Sequence, residues 1–301
     1  MDLPDFLGIG AARCGTSWLD SVLRSHAELY MPERRKEIHF FDLYYDRGLS
    51  WYEDFFQDGA LRKTQNQSEN QSKNQRDAQN QNDYPSGSFQ STSADSNSYP
   101  KLGEITPEYL YYPEVPGRIQ QHLPECKFLV MLRNPADRAY SHYGFLIREL
   151  DERRSFEALI DRAPEVFERG LYYQQLKRYL EIFPAENFLV LIFEEVMNNP
   201  DQALNQLSDF LGISASQFDS MAVSRKVNSS KQSRFPKLRL MARNLRDELR
   251  NRDLDWLWNL AKRSGLEKAF ESSKPLPKMD PDYRQRLLAS YAHDISQQES
   301  L

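Results

Sequence analysis

The chain has 301 residues, which permits one large α/β domain or two small ones, and its 40% apolar and 12% aromatic content is enough for a sizeable core. Its net charge of −5 argues against nucleic acid as the partner, and its two cysteines, Cys14 and Cys126, make neither a disulfide framework nor a metal cluster. No apolar run approaches the roughly 18 residues of a membrane span, and the acidic start MDLPDFLG leaves no room for a signal peptide, so a soluble cytoplasmic protein without stable membrane insertion is expected.

In chain order, residues 6–9 are a short apolar run that reads as a buried strand. Residues 10–15 are a turn of small residues. Residues 16–23 read as a helix with Trp18, Leu19, Val22 and Leu23 on one face. A strand, a small-residue loop and a helix N-terminus together form an anion cradle, because free backbone N–H groups converge there with the helix dipole behind them. Gly10, Gly15 and Ser17 fall in register with the nucleotide loop G-x-x-x-x-G-K-[ST], but Thr16 stands where its lysine belongs. The nearest cation is Arg13, inside the loop. The spacing therefore predicts a phosphate or sulfate cradle that does not hold ATP, against the plainer reading of a tight turn without a ligand.

The aromatics of residues 36–56 read as packing, with a short helix at 51–56. Residues 62–98 are dominated by Gln, Asn and Ser and cannot bury enough surface to offset the entropy of ordering them, so the sequence predicts a disordered insertion interrupting a single domain of 1–301. A brief strand and a turn at Thr106–Pro107 follow, then a helix at 115–123. The run 127–132, KFLVML, reads as an interior parallel strand, with a helix after it. A helix at 170–183, a buried strand at 187–193 and a helix stopped by Gly212 come next. From residue 235 the tail is helical and basic, with Leu238, Met241, Leu245 and Leu249 three and four apart. Residues 225–268 hold 13 Lys or Arg against 5 Asp or Glu, most of which read as a solvated surface. A last helix at 282–294 packs Leu287, Leu288 and Tyr291. Apolar strands alternating with helices predict an α/β domain, P-loop-like and three-layered, with a mostly parallel central sheet.

A nucleotide hydrolase would end its second core strand in a metal-binding aspartate; here the strand at 127–132 ends in Arg133. Ligands of open α/β sheets gather at the C-terminal strand ends, so Arg133 and the cradle face one crevice, and Arg133 with Ser141 suits a second phosphate group. Arg133 in a structural salt bridge is the alternative.

With these motifs in place the sequence resembles the sulfotransferases that use 3′-phosphoadenosine 5′-phosphosulfate (PAPS), of the Golgi and bacterial type that includes heparan sulfate sulfotransferases. The family's loop, x-K-x-G-[TS]-[TS]-x-L, is similar to Ala12-Arg13-Cys14-Gly15-Thr16-Ser17-Trp18-Leu19, with the family lysine on Arg13. Its Lys-Glu-x-x-Phe-Phe element matches Lys36-Glu37-Ile38-His39-Phe40-Phe41. LVMLRNPADRAYSHY places Arg133 and Ser141 in the 3′-phosphate positions, and GEITPEYL resembles G-E-K-[TS]-P-x-Y-L with Ile105 in place of a lysine. The segment 228–234 resembles the basic loop over the nucleotide, with Lys231 and Arg234 as its contacts.

The resemblance implies transfer of a sulfuryl group from PAPS to a hydroxyl or amine acceptor, such as an oligosaccharide or polysaccharide. Arg13, Cys14, Gly15, Thr16, Ser17 and Trp18 would hold the 5′-phosphosulfate, largely through the backbone N–H groups of 14–18. Arg13 would stabilise the leaving oxygen and Glu37 would take the acceptor proton. Lys36 and His39 are candidates for contacting the acceptor; His39 is also a rival base, though packing between Phe40 and Phe41 is the commoner fate of such a histidine. No metal is required. The rivals are a P-loop kinase, which lacks its loop lysine and an acidic metal ligand, and a nucleotide-binding scaffold without catalysis.

Overall fold

The computed structural model describes residues 3–59, 100–224, 231–233, 236–263, 271–275 and 278–298. The insertion expected at 62–98 lies outside the described residues.

Five parallel strands form the central sheet in the order β2-β3-β1-β4-β5, where β1 is Phe6–Gly10, β2 Leu29–Tyr30, β3 Lys101–Ile105, β4 Lys127–Leu132 and β5 Phe188–Ile192. With flanking helices this is the expected α/β three-layer arrangement. β1 is buried along its whole length, and β4 at every residue but its first, which is why both read as near-continuous apolar runs. β1 pairs with β3 on one side and β4 on the other, so the chain reverses its direction of build across β1 and opens a crevice at its C-terminal end. β5, expected to be buried, is an edge strand: Val190 is 41% exposed and only Leu191 is buried. Its apolar composition reflects the pairing with β4 rather than cover on both faces.

The helices start and stop where local chemistry requires. α1 is Thr16–Arg24, α2 Leu49–Glu53 and α3 Val115–His122. Asn134 caps α4, Pro135–Leu150, accepting from the N–H groups of Ala136 (3.1 Å) and Asp137 (3.3 Å), while Pro135 takes the first helical position, where no N–H is needed. Asn199 caps the helix Pro200–Leu211, which Gly212 ends in the left-handed conformation (φ 64°). The helix Tyr172–Leu180 packs Tyr179 on Phe128 of β4. The final helix, Pro281–Gln298, buries Leu287 and Tyr291 and leaves Leu288 partly covered; the Tyr291 hydroxyl donates to the Phe167 carbonyl (2.8 Å).

The basic tail forms two further helices, Pro236–Asn251 and Asp255–Arg263. The first turns its basic face inward. Arg239 makes a two-pronged bond to Glu149 at the end of α4 (2.8 and 3.0 Å), and Arg243 reaches Phe145 of the same helix, while Leu238, Met241 and Leu245 are about half or more exposed. For these arginines the solvated-surface reading does not hold.

Candidate active site

The loop after β1 is held by backbone geometry that its small residues permit. Gly15 sits at φ 95° immediately before α1, and a Cβ there would lie 2.6 Å from the Phe193 ring and 2.8 Å from Met131 Sδ, so glycine is required on both counts. Arg13 also takes a positive φ, 74°. The Cys14 N–H donates to the Ala11 carbonyl (3.2 Å) and the Trp18 N–H to the Gly15 carbonyl (2.8 Å). The backbone donors left to meet an anion are therefore Gly15, Thr16 and Ser17, a narrower set than the 14–18 expected. Cys14 is fully buried with its thiol 3.4 Å from the Tyr172 hydroxyl, and Trp18 is buried with its indole N–H on the Val223 carbonyl (3.0 Å), so both side chains support the loop from behind.

Three cations meet the cradle. Arg13 lies over the Phe145 ring (5.2 Å), which Arg148 and Arg243 also approach. Burial, then the neighbouring charges of Arg148 and Arg133, bring its pKa down to about 10 against the opposing pull of Glu37. Arg133 lies over Phe193 (4.7 Å). The buried Nε atoms of Arg13 and Arg133 have no hydrogen-bond partner among the described residues, and both guanidinium groups lie over aromatic rings, which leaves donors that an anion could take. The third cation is Lys36, whose Nζ donates to Ser17 Oγ (2.9 Å). The charge missing at Thr16 is thus brought from another segment. Ser141 is half-buried two turns into α4, below Arg133 in sequence order.

Lys36 belongs to the segment after β2 that carries Glu37 and His39, and its inward residues anchor it. Ile38, Phe40 and Phe41 are buried, and the N–H groups of Phe40 and Phe41 donate to the Tyr109 hydroxyl (2.9 and 3.4 Å). That hydroxyl and the one of Tyr52 both donate to Glu104 Oε1 (2.8 Å each), while Thr106 Oγ1 (2.7 Å) and the Ile38 N–H (3.4 Å) donate to Oε2. Burial raises the pKa of Glu104 and its four donors oppose that rise. Ile105, the residue in place of a family lysine, is fully buried against Gly8 and contributes core, not charge.

Glu37 faces the crevice, with its side chain 35% exposed, 3.8 Å from Lys36 and 3.7 Å from His39 Nε2. Desolvation raises its pKa, but His39 and the charge of Lys36 outweigh it and hold the carboxyl down to about 2. His39 does not pack between Phe40 and Phe41: its Nδ1 lies 2.8 Å from the Asp42 carboxylate. Burial alone would lower its pKa, yet Asp42 and Glu37 push it up to about 10, so at neutral pH the ring is an imidazolium and has no lone pair with which to act as a base.

The sign of that shift gives a pH test. His39 is raised above its unfolded value, so its contribution to stability is complete below about pH 6.5 and is lost as pH rises toward 10. Thermal unfolding of the wild type is expected to move down over pH 7–10 more steeply than that of Asp42→Asn. Parallel curves would show that the pair does not carry the shift.

Of the residues expected over the nucleotide, Lys231 stands on a short strand, Lys231–Ser233, antiparallel to Glu271–Pro275 and lying against α4. Arg234 is outside the described residues. Among the described residues no three His, Cys, Asp or Glu side chains gather as a metal site, and no helix is long and apolar enough to cross a membrane.

With this geometry in view, the comparisons with known proteins are decisive for the family. Residues 3–254 match the model of the sulfotransferase domain. The chain belongs to that family. It is 30% identical to mouse heparan sulfate glucosamine 3-O-sulfotransferase 6 over 218 residues, covering 70% of this chain and 52% of the relative. It is also 30% identical over 230 residues to the Drosophila melanogaster bifunctional heparan sulfate N-deacetylase/N-sulfotransferase, covering 70% of this chain and 20% of that protein. The chain thus spans about half or less of the length of these relatives. Among solved structures, a sulfotransferase from Alicyclobacillus acidocaldarius is similar with a TM-score of 0.52 and 26% identity, covering 85% of this chain and 96% of that one. The loop at 10–15, Arg133 and the Lys36–Glu37 element all lie within the matched residues.

The sequence did not expose Glu104, Phe145, Arg148 or Arg243 as parts of the site. A signal for Glu104 was present: an acid inside an apolar strand, with Thr106 and Tyr109 two and five residues on, must find donors when buried.

Proposed function

We propose that this chain transfers a sulfuryl group from PAPS to a hydroxyl or amine acceptor, and that a saccharide is the acceptor class. The observation that carries the reading is the 2.9 Å bond from Lys36 to Ser17, which joins the anion loop to the segment bearing Glu37, a carboxylate held ionised and acting on Arg13 of the loop. Family membership and the two relatives named for transfer to sugar oxygen and sugar nitrogen support the acceptor class.

The donor's chemistry is an activated sulfuryl group joined to a nucleotide phosphate, with a second phosphate on the ribose. The residues present fit it. The N–H groups of Gly15, Thr16 and Ser17 receive the phosphosulfate end, and Arg13 and Arg133, each with a buried Nε that has no partner among the described residues, supply positive charge beside them. Ser141, Lys231 and Arg234 are proposed to complete the 3′-phosphate and nucleotide contacts. Arg13 and Lys36 stabilise negative charge on the departing oxygen. Glu37 accepts the acceptor's proton. A carboxylate held near pKa 2 is a weak base toward a free alcohol, so its proton transfer belongs late, when bonding to sulfur has already made the acceptor oxygen acidic. His39, protonated between Glu37 and Asp42, orients the carboxylate. No step in this scheme calls on a metal.

Calorimetric titration with adenosine 3′,5′-bisphosphate, beside ADP and ATP without magnesium, tests the reading. Clear preference for the bisphosphate is expected, reduced about 10- to 100-fold in Arg133→Ala, since a bond to a charged group contributes about 1.5–3 kcal/mol. Equal binding of all three nucleotides would refute the two-phosphate crevice.

A further inference from the structure

The segment carrying Lys36 and Glu37 is gripped from two sides. One grip is the Glu104 network. The other comes from the basic tail, more than 200 residues away in sequence. Arg35, next to Lys36, is 2% exposed, and its guanidinium meets the Asp255 carboxylate in a two-pronged pair: Nε to Oδ1 at 3.0 Å and Nη2 to Oδ2 at 2.7 Å. The same Nη2 donates to the Arg250 carbonyl (2.9 Å), satisfying the C-terminal end of the helix Pro236–Asn251. Asp255 is 3% exposed and opens the next helix. The adjacent Asp253, at φ 57°, takes the Trp51 indole N–H (3.0 Å), Arg34 (3.2 Å) and Arg47.

We propose that Asp255 is a positioning residue for the reaction: through Arg35 it fixes the backbone from which Lys36 reaches Ser17 and Glu37 faces the crevice. Three observations bear on this beyond simple packing. The pair is buried and bidentate, so it fixes orientation as well as separation. It is immediately adjacent in sequence to the Lys36–Glu37 element, with one residue between Arg35 and the base. The helix end it secures carries Arg250, whose charge acts on Glu37 directly. The match to the sulfotransferase domain ends at residue 254, so Asp255 is contributed from just outside the matched region. Asp255 touches no reacting atom; its effect on turnover runs through Lys36 and, for the larger part, Glu37, and therefore rests on the base assignment above.

Because a lone buried charge could unfold the protein, two variants are needed: Asp255→Asn, and the paired Arg35→Met/Asp255→Leu, which removes both charges together. Each is measured for kcat and KM with PAPS and a sugar acceptor, for affinity toward adenosine 3′,5′-bisphosphate, and again in a Glu37→Gln background. The expected result is a fall in kcat of about 30-fold, within the roughly 10²-fold that misplacing a group by an ångström can cost, with bisphosphate affinity unchanged within about twofold. In the Glu37→Gln background the further loss in kcat is expected to fall to about a third of that loss or less, because of the two positioned residues only Lys36 remains. Unchanged kcat in the paired variant overturns the proposal, as does a parallel loss of bisphosphate affinity or a full 30-fold loss in the Glu37→Gln background. Glu37→Gln alone separates the two readings. Full turnover there removes the base assignment and this inference with it, whereas a large loss there beside an unaffected paired variant removes only the inference.

Discussion

Glu37→Gln is expected to lower kcat by about 10²- to 10⁴-fold, the range for loss of a positioned general base, with affinity for adenosine 3′,5′-bisphosphate unchanged. The substitution keeps the shape of the side chain and removes only its proton-accepting charge. It also removes the carboxylate that helps hold His39 protonated, while Asp42 remains 2.8 Å from that ring, so the imidazolium survives and does not take over as base. This distinguishes Glu37 from His39: His39→Asn is expected to disturb kcat less than Glu37→Gln, because it alters the orientation of the carboxylate and leaves the carboxylate in place. Steady-state kinetics beside calorimetry on the same preparations checks both. A Glu37→Gln enzyme with near wild-type turnover would show that no general base acts from this segment, and the cationic loop alone would have to account for catalysis.

Much of this site could be read from the sequence because its parts are local. β1, the glycine turn and α1 are contiguous, and a left-handed Gly15 before a helix leaves a signature in residue type. Arg133 at the end of β4 was legible for the same reason: an apolar strand, then Arg, then the Asn–Pro pair that starts the next helix. What escaped depends on distance along the chain. Val190 in β5 is as apolar as a buried strand residue, and only the sheet order shows that β5 is an edge. Basic composition alone suggests a solvated surface, whereas Arg239 and Arg243 of the basic tail turn toward Glu149 and Phe145 and Leu238 and Leu245 turn outward. Periodicity gives the faces of a helix but not which face turns inward when both are amphiphilic. His39 was placed between its aromatic neighbours by sequence adjacency, whereas its positive φ of 60° turns it to Asp42.

Glu104→Ala is expected to be the most destabilising single change in the site, by about 3–5 kcal/mol, because several buried donors lose their acceptor at roughly 1–3 kcal/mol each. Three hydroxyls and one N–H converge on this carboxylate, and every donor comes from a segment that shapes the crevice: Tyr52 from α2, Ile38 from the base segment, Thr106 and Tyr109 from the turn after β3. Removing it leaves those donors facing a cavity without water's alternatives. Glu104→Gln separates shape from charge. Its amide fills the space, but one of the two acceptor oxygens becomes an NH₂ group. The Tyr52 hydroxyl can rotate to accept from it, but the Tyr109 hydroxyl already accepts the Phe40 and Phe41 N–H groups, and the Ile38 N–H cannot reverse. At least one donor therefore loses its acceptor whichever way the amide turns, and the protein is expected to lose about 1–3 kcal/mol. Denaturant unfolding of the three proteins checks the order wild type, Gln, Ala. Turnover should fall with it at temperatures where each is still folded, since the Tyr109 hydroxyl that holds Phe40 and Phe41 is itself oriented by Glu104. If Glu104→Ala unfolds at the wild-type denaturant midpoint, the network does not hold the base segment, and the Arg35–Asp255 pair on the opposite side must carry that task alone.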